Sequence, residues 1–248
     1  MKKLLICFLM LFMFSTIAQA AESDVPDNYK NLTVVQKMRM PVNQVVEKKA
    51  PLSDRLSQIV DQPAPTKAVK NNLPNVAVLY INNSKSTYND EVDMRVLPSL
   101  GQALPAEKYN LIDGAIYIER LSKVGIADLS TAERADILEA FRGDDIDYIV
   151  ILEIQPFVAR DKLTFFTVGK DITTAVPFKI IDVVNGRYLY NGKFTEKASS
   201  SSMIGGIGNK SVALKALDTV NTQIASVIET RLPQTKPVPM AINPNVRK

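Results

Sequence analysis

The sequence predicts an α/β chain with α+β character in its C-terminal half: a single mixed sheet in β-α-β-α-α-β-β-β-α order with helices packed on it. Three observations carry that reading. Val76–Ile81 is an unbroken apolar run and Tyr148–Ile154 is nearly all apolar, the mark of strands covered on both faces. The stretch between them has apolar residues at helical spacing, so strand and helix alternate there. Beyond Ile154 two long strand-like stretches flank Asn185-Gly186, and an amphipathic segment closes the chain.

Taken in order, the first run is followed by a helix over Asp93–Leu104, with Pro98 inside it, and by a short strand over Tyr109–Ile112. Asp113–Val124 reads as a helix with Ile116, Leu121 and Val124 inward. Ser130-Thr131-Ala132-Glu133 has capping-box spacing and opens a helix with Ala135, Leu138 and Phe141 on one face, ending at Gly143. After the second apolar run, Ile172–Val184 and Arg187–Lys197 form a hairpin. Asn185-Gly186 suits a two-residue turn whose central residues both take φ > 0. Tyr188 and Tyr190 share one face of the second strand. The last helix spans Asn209–Leu232, with Leu214, Leu217, Val220, Ile224, Val227 and Ile228 on its apolar stripe.

The ends read differently. Lys2 and Lys3, the apolar run Leu4–Ile17 and the small residues Ala18 and Ala20 have the three-part form of a signal peptide, with cleavage after Ala20. The run is too short to span a bilayer, which takes about 20 residues, so no transmembrane segment is expected after cleavage. Cys7, the only cysteine, leaves with this leader. A lipid-attachment site is not expected there, since Ile6 precedes it and the apolar stretch mostly follows it. Residues 21–73 form a flexible, Pro-rich lead-in with one amphipathic piece, Leu52–Val60; 74–232 are the domain; 233–248 are a Pro-rich disordered tail.

Composition excludes several chemistries. The chain's 248 residues contain no His and no Trp, so His-dependent triads, the usual zinc sites and His-ligated haem are impossible. Without the leader, 28 basic residues face 26 acidic ones, a balance that gives no case for nucleic acid. No cofactor, catalytic residue or metal site is expected. Asp144, Asp145 and Asp147 lack calcium-loop spacing and read as a polar turn. Glu153 reads as a solvent-facing or edge position; it and Asp182 are the kind of carboxylate pair a hydrolase would need.

Two places could bind something. The loop Ser201, Ser202, Met203, Ile204, Gly205, Gly206, Ile207 and Gly208 carries apolar residues between flexible ones. It lacks the Gly-Lys-Ser adjacency of a phosphate loop, because Asn209 precedes Lys210. Asn82, Asn83 and Ser84 follow the first buried strand, at the carboxyl end of a parallel strand where ligands of open α/β sheets bind.

The strands Asn75–Leu79, Tyr109–Asp113 and Asp147–Val150, the hairpin Ile180–Gly186 and the closing helix together resemble a group of bacterial envelope domains over residues 73–232. The group comprises CsgG-like secretion proteins of the curli system, outer-membrane activators of penicillin-binding proteins and the amino-terminal domain of TolB. The resemblance implies an exported, periplasmic or envelope protein that binds an envelope protein partner without catalysis. A small-ligand or carboxylate-based hydrolytic domain, or a subunit of a secretion assembly, are the alternatives. Lipid anchoring, common in the group, needs a cysteine the mature chain lacks, and Leu163–Val168 is too short for a membrane strand.

Overall fold

The computed structural model describes residues 25, 29–40, 72–163, 168–202 and 208–239. The leader, the Leu52–Val60 piece and Met203–Ile207 of the candidate loop lie outside the described residues. After a 3-10 turn at Tyr29–Asn31 come α1 (Val34–Met38), β1 (Asn75–Asn82), α2 (Asn89–Ala103), β2 (Asn110–Asp113), α3 (Ala115–Lys123), α4 (Arg134–Ala140) and β3 (Tyr148–Ile154). Then follow β4 (Val158–Leu163), β5 (Val168–Asp182), β6 (Arg187–Ser202) and α5 (Asn209–Arg231).

These strands make one mixed sheet. β1 pairs in parallel with β2 on one side and β3 on the other, and every other pairing is antiparallel. β3 and β4 run end to end along one edge of β5: β3 takes Phe178–Asp182 and β4 takes Val168–Thr173. β6 follows the opposite edge of β5 along its whole length. The sheet therefore has a body, β2-β1-β3 with the end of β5, and an arm made of β4, the start of β5, and β6.

Why the apolar runs become central strands is visible in their burial. Val76, Val78 and Tyr80 of β1 and Tyr148, Val150, Leu152 and Ile154 of β3 pack with Val96, Leu97 and Leu100 of α2 and Leu217, Val220 and Ile224 of α5. Their alternates Ala77, Leu79, Ile149 and Ile151 pack under α3 and α4 with Tyr117, Leu121 and Ile137. Each such aliphatic side chain contributes roughly 1.5–3 kcal/mol on burial, so the body is clamped from both sides. The arm is not. α5 covers only one of its faces, through Ile172, Ala198, Val212, Ala213 and Ala216.

Several expectations are corrected. β4 is a sixth strand that the sequence reading missed; all six residues are exposed, so it is held by backbone pairing to β5 and carries no apolar pattern. The Ser130 capping box does not form. α4 begins at Arg134 after Glu133, which makes no side-chain cap bond, because the Ser130 hydroxyl donates to Asp128. Leu121 of α3 is buried as expected, but its other buried residue is Tyr117 and that of α4 is Ile137, while Ile116 and Val124 are exposed at 53% and 72% and Ala135 is exposed.

The hairpin exists, but its loop is the four residues 183–186. Of these only Gly186 has positive φ, at 60°. A bulge makes Ile180 face Tyr190 and Ile181 face Tyr188, and the extra residue, Leu189, sends the two tyrosines to opposite faces.

The sequence predicts a flexible lead-in over residues 21–73, and residues 29–40 depart from that. In fact Tyr29 and Met38 are buried there, and α1 lies on α2. The approach is so close that a Cβ at Gly101 would sit 1.8 Å from the Met38 carbonyl oxygen. Ion pairs Lys37–Asp93 (3.5 Å) and Lys30–Asp90 (3.4 Å) flank the contact. The start of the tail also returns to the sheet, where the Tyr148 hydroxyl donates to the Thr235 carbonyl at 3.0 Å. Burial pushes that phenol up to about 12.

Candidate functional site

Two features stand out once the strands are in place: a polar cluster at the carboxyl ends of β1 and β3, and the uncovered face of the arm.

The predicted strand-end residues divide between the two faces of the sheet. Asn82 turns toward α2, donating to Asp93 Oδ1 at 2.7 Å and to the Asn89 carbonyl at 3.1 Å. Ser84, buried, donates its hydroxyl to Asn89 Oδ1 at 2.6 Å and its N–H to Asn82 Oδ1 at 3.1 Å. These bonds shape the turn into α2. Asn83 turns the other way and donates to Glu153 Oε1 at 2.9 Å.

Glu153, read from sequence as solvent-facing or at an edge, is only 3% exposed and lies in a strand paired on both sides. It is kept there by donors from distant segments: the Asn83 amide and the Ser130 N–H, at 3.1 Å from Oε2. Burial raises its pKa, reinforced by the nearby Asp128, whose own pKa is lowered chiefly by the Ser130 hydroxyl. Asp182 is not its partner. That residue pairs with Tyr148 at the far end of β3 and accepts from the Asn185 N–H and side-chain amide.

Lys179 completes the cluster, and sequence reasoning passed over it. Its ammonium donates to the carbonyls of Leu129 (3.0 Å), Ser130 (2.9 Å) and Ala132 (3.0 Å), using all three protons. Burial lowers its pKa while Asp128 and Glu153 hold it up. The result is a staple fixing the loop ahead of α4 to β3 and β5. An open recess of about 330 Å³ beside it is lined by Ser130, Gln155, Pro177, Lys179, Asn191, Gly192 and Lys193.

The other acidic residues are also spent locally. Asp144 pairs with Arg120 at 2.8 Å, Asp145 accepts from the Asn75 amide, and Asp147 accepts the Asn75 N–H at 2.7 Å. Lys210 of the glycine-rich stretch pairs with Glu91 of α2 at 2.7 Å. Of the candidate loop, Ser201 and Gly208 are exposed at its two ends.

On the arm, side chains of β6 alternate cleanly. Phe194, Glu196 and Ala198 point toward α5, where Glu196 bonds Gln223 at 2.6 Å. Lys193, Thr195, Lys197, Ser199 and Ser201 are exposed on the opposite face. By register Arg160 and Lys162 of β4 lie on that same face. Asp171, buried at its centre, meets Lys197 (2.7 Å), Lys162 (2.9 Å) and the Ser199 hydroxyl (2.6 Å), which hold its carboxyl well below the usual range. Two lysines thus share one carboxylate, and Arg160 lies opposite it by register. Among the described residues, no strand pairs with the outer edge of β6.

No helix among the described residues is long and apolar enough to cross a membrane. No family model matches the chain, and no curated protein does. Solved structures that it is similar to include lipoprotein GNA1162 from Neisseria meningitidis, 15% identical, with 62% of this chain and 99% of that one covered at a TM-score of 0.34. Another is the hypothetical protein CT253 from Chlamydia trachomatis, at 11% identity, 64% and 95% coverage and a TM-score of 0.39. A third is the LpoB C-terminal domain from Salmonella enterica, at 12% identity, 56% and 90% coverage and a TM-score of 0.28. The neighbours thus include bacterial lipoproteins; at such identities and TM-scores the likeness bears on neither activity nor partner.

Proposed function

We propose that this is an exported bacterial envelope protein, released by cleavage after Ala20, that acts by binding another envelope protein and not by catalysis. The CsgG-like and TolB-like kinship read from the sequence belongs to the same proposal. The observation that carries it is the arm, in which α5 covers one face while, among the described residues, the other face and the edge of β6 are left open. The polar cluster supports the non-catalytic part, because the Lys179 ammonium and the Glu153 carboxylate are committed to holding the chain together.

In-cell photo-cross-linking tests it, with the reactive group placed singly at Thr195 on the arm, Glu119 on α3 and Ser226 on α5. A discrete heavier adduct from at least one position, in the periplasmic or envelope fraction of a chain beginning at Ala21, is expected. No adduct from any position refutes the reading, as does saturable turnover abolished by Glu153→Gln. The recess beside Lys193 favours a second reading, a small anionic ligand; a ligand-induced chemical-shift change confined to Asn191–Lys193 is its signature.

A further inference from the structure

We infer that the outer edge of β6 receives an extended acidic segment of a protein partner, one whose carboxylates recur every fourth residue. The inference rests on the binding-module reading and names the surface and the chemistry of the partner.

The argument starts from what an edge strand offers. Half of its backbone N–H and C=O groups point outward, ready to pair with another strand. In β6 that edge is long, Arg187–Ser202, and no described strand occupies it. A strand laid against it meets two different rows of side chains. On the α5 side the row contains Phe194 and Glu196; on the open side it contains Lys193, Thr195, Lys197 and Ser199. Lys193 and Lys197 are four residues apart, about 13 Å at 3.3 Å per residue. An incoming strand places its own residues i and i+4 opposite them, with an apolar residue at i+1 (parallel) or i+3 (antiparallel) beside Phe194.

Charge selects the occupant. The acidic residues of β4 and β6, Asp161 and Glu196, lie on the α5 side, so on the open side Arg160, Lys162, Lys193 and Lys197 face one acidic residue of the arm's own strands, Asp171. Lys162 and Lys197 share that single carboxylate, and no ion pair is formed by Arg160 or Lys193 among the described residues. The field over the open face is therefore positive and attracts an acidic strand. A second copy of the chain is disfavoured. An antiparallel pairing of two β6 edges centred on Thr195 would set Lys193 of one copy against Lys197 of the other, and like charges directly opposite destabilise a sheet.

The test uses the chain from Ala21 onward and a fluorescent dodecapeptide of alternating Thr and Val with two Asp four residues apart. A twin peptide with Lys in place of Asp is the control. Saturable anisotropy with the Asp peptide alone is expected, together with slowed hydrogen exchange at outward amides of β6. Lys193→Glu is expected to weaken binding about tenfold, and Lys193→Gln by less. Lys193 is exposed, so both variants keep the fold, checked by unchanged thermal unfolding. Equal affinity for both peptides, indifference to Lys193→Glu, or binding that leaves the β6 amides unchanged overturns the inference. So does tighter binding to phosphatidylglycerol vesicles than to the peptide, or a dimer in light scattering. An adduct from Glu119 or Ser226 with no peptide binding would remove the acidic strand and leave the binding module standing.

Discussion

Replacing Lys179 by Met isolates the staple, since Met keeps most of the stem and removes the ammonium. The carbonyls of Leu129 and Ala132 accept from Lys179 in buried surroundings, and both lose that partner. An abandoned buried polar group costs about 1–3 kcal/mol, so the two together cost roughly 2–6 kcal/mol. Relief of the buried charge, which burial of Lys179 already disfavours, offsets part of this; about 3 kcal/mol is the expected net loss. The loss of the cation also leaves Asp128 and Glu153 facing each other without their shared counter-charge. Urea unfolding at pH 7 measures the change, and the slope should stay constant while the midpoint falls. Hydrogen exchange should quicken across Leu129–Ala132 first. A loss below 1 kcal/mol with unchanged exchange there would refute the staple and return Lys179 to consideration as a reactive group.

Other outcomes follow from the same contacts. Glu153→Gln should change stability at pH 7 by less than about 1 kcal/mol, because the amide removes a buried charge and still accepts from Asn83 but gives up the Ser130 N–H. The sign is set by the raised pKa: the folded chain holds that proton more tightly, so wild-type stability declines as pH rises from the ordinary Glu value of 4.5 through the folded value, and the variant should lose that decline in pH-dependent unfolding. Gly101→Ala should drive α1 off α2, costing about 1–3 kcal/mol and opening Tyr29–Met40 to limited proteolysis. Tyr29→Phe should gain roughly 1 kcal/mol in thermal unfolding, because the buried Tyr29 hydroxyl has no hydrogen-bond partner among the described residues.

The body of the fold was legible because its signals are local. Val76–Ile81 is apolar throughout and Tyr148–Ile154 is so apart from Glu153, because helices lie on both faces, and the long stripe of α5 repeats at 3.6 residues. What escaped was set by distant partners or by the backbone alone. β4 is a strand because β5 offers it hydrogen bonds, and its exposed side chains carry no trace of that. Ser130 has the spacing of a cap, yet Asp128 takes its hydroxyl and Lys179, 49 residues away, takes its carbonyl. Glu153 looked solvent-facing because the donors that make its burial tolerable, from Asn83 and Ser130, lie 70 and 23 residues away. Tyr188 and Tyr190 part company because one extra residue, Leu189, interrupts the alternation. Of the candidate sites, Asn82, Asn83 and Ser84, singled out as a place where a ligand could bind, spend their side chains on bonds within the chain, whereas the open face of the arm emerges only once β4, β5 and β6 are aligned.

Everything functional here depends on β6 having one vacant side. Amide hydrogen exchange followed by NMR on the isolated chain reads this directly, because only the N–H groups paired with β5 should be protected. Alternating slow and fast amides from Leu189 to Ser201 is the expected pattern. Uniform slow exchange along that stretch in a monomer would mean that the edge is already occupied, and would contradict the account.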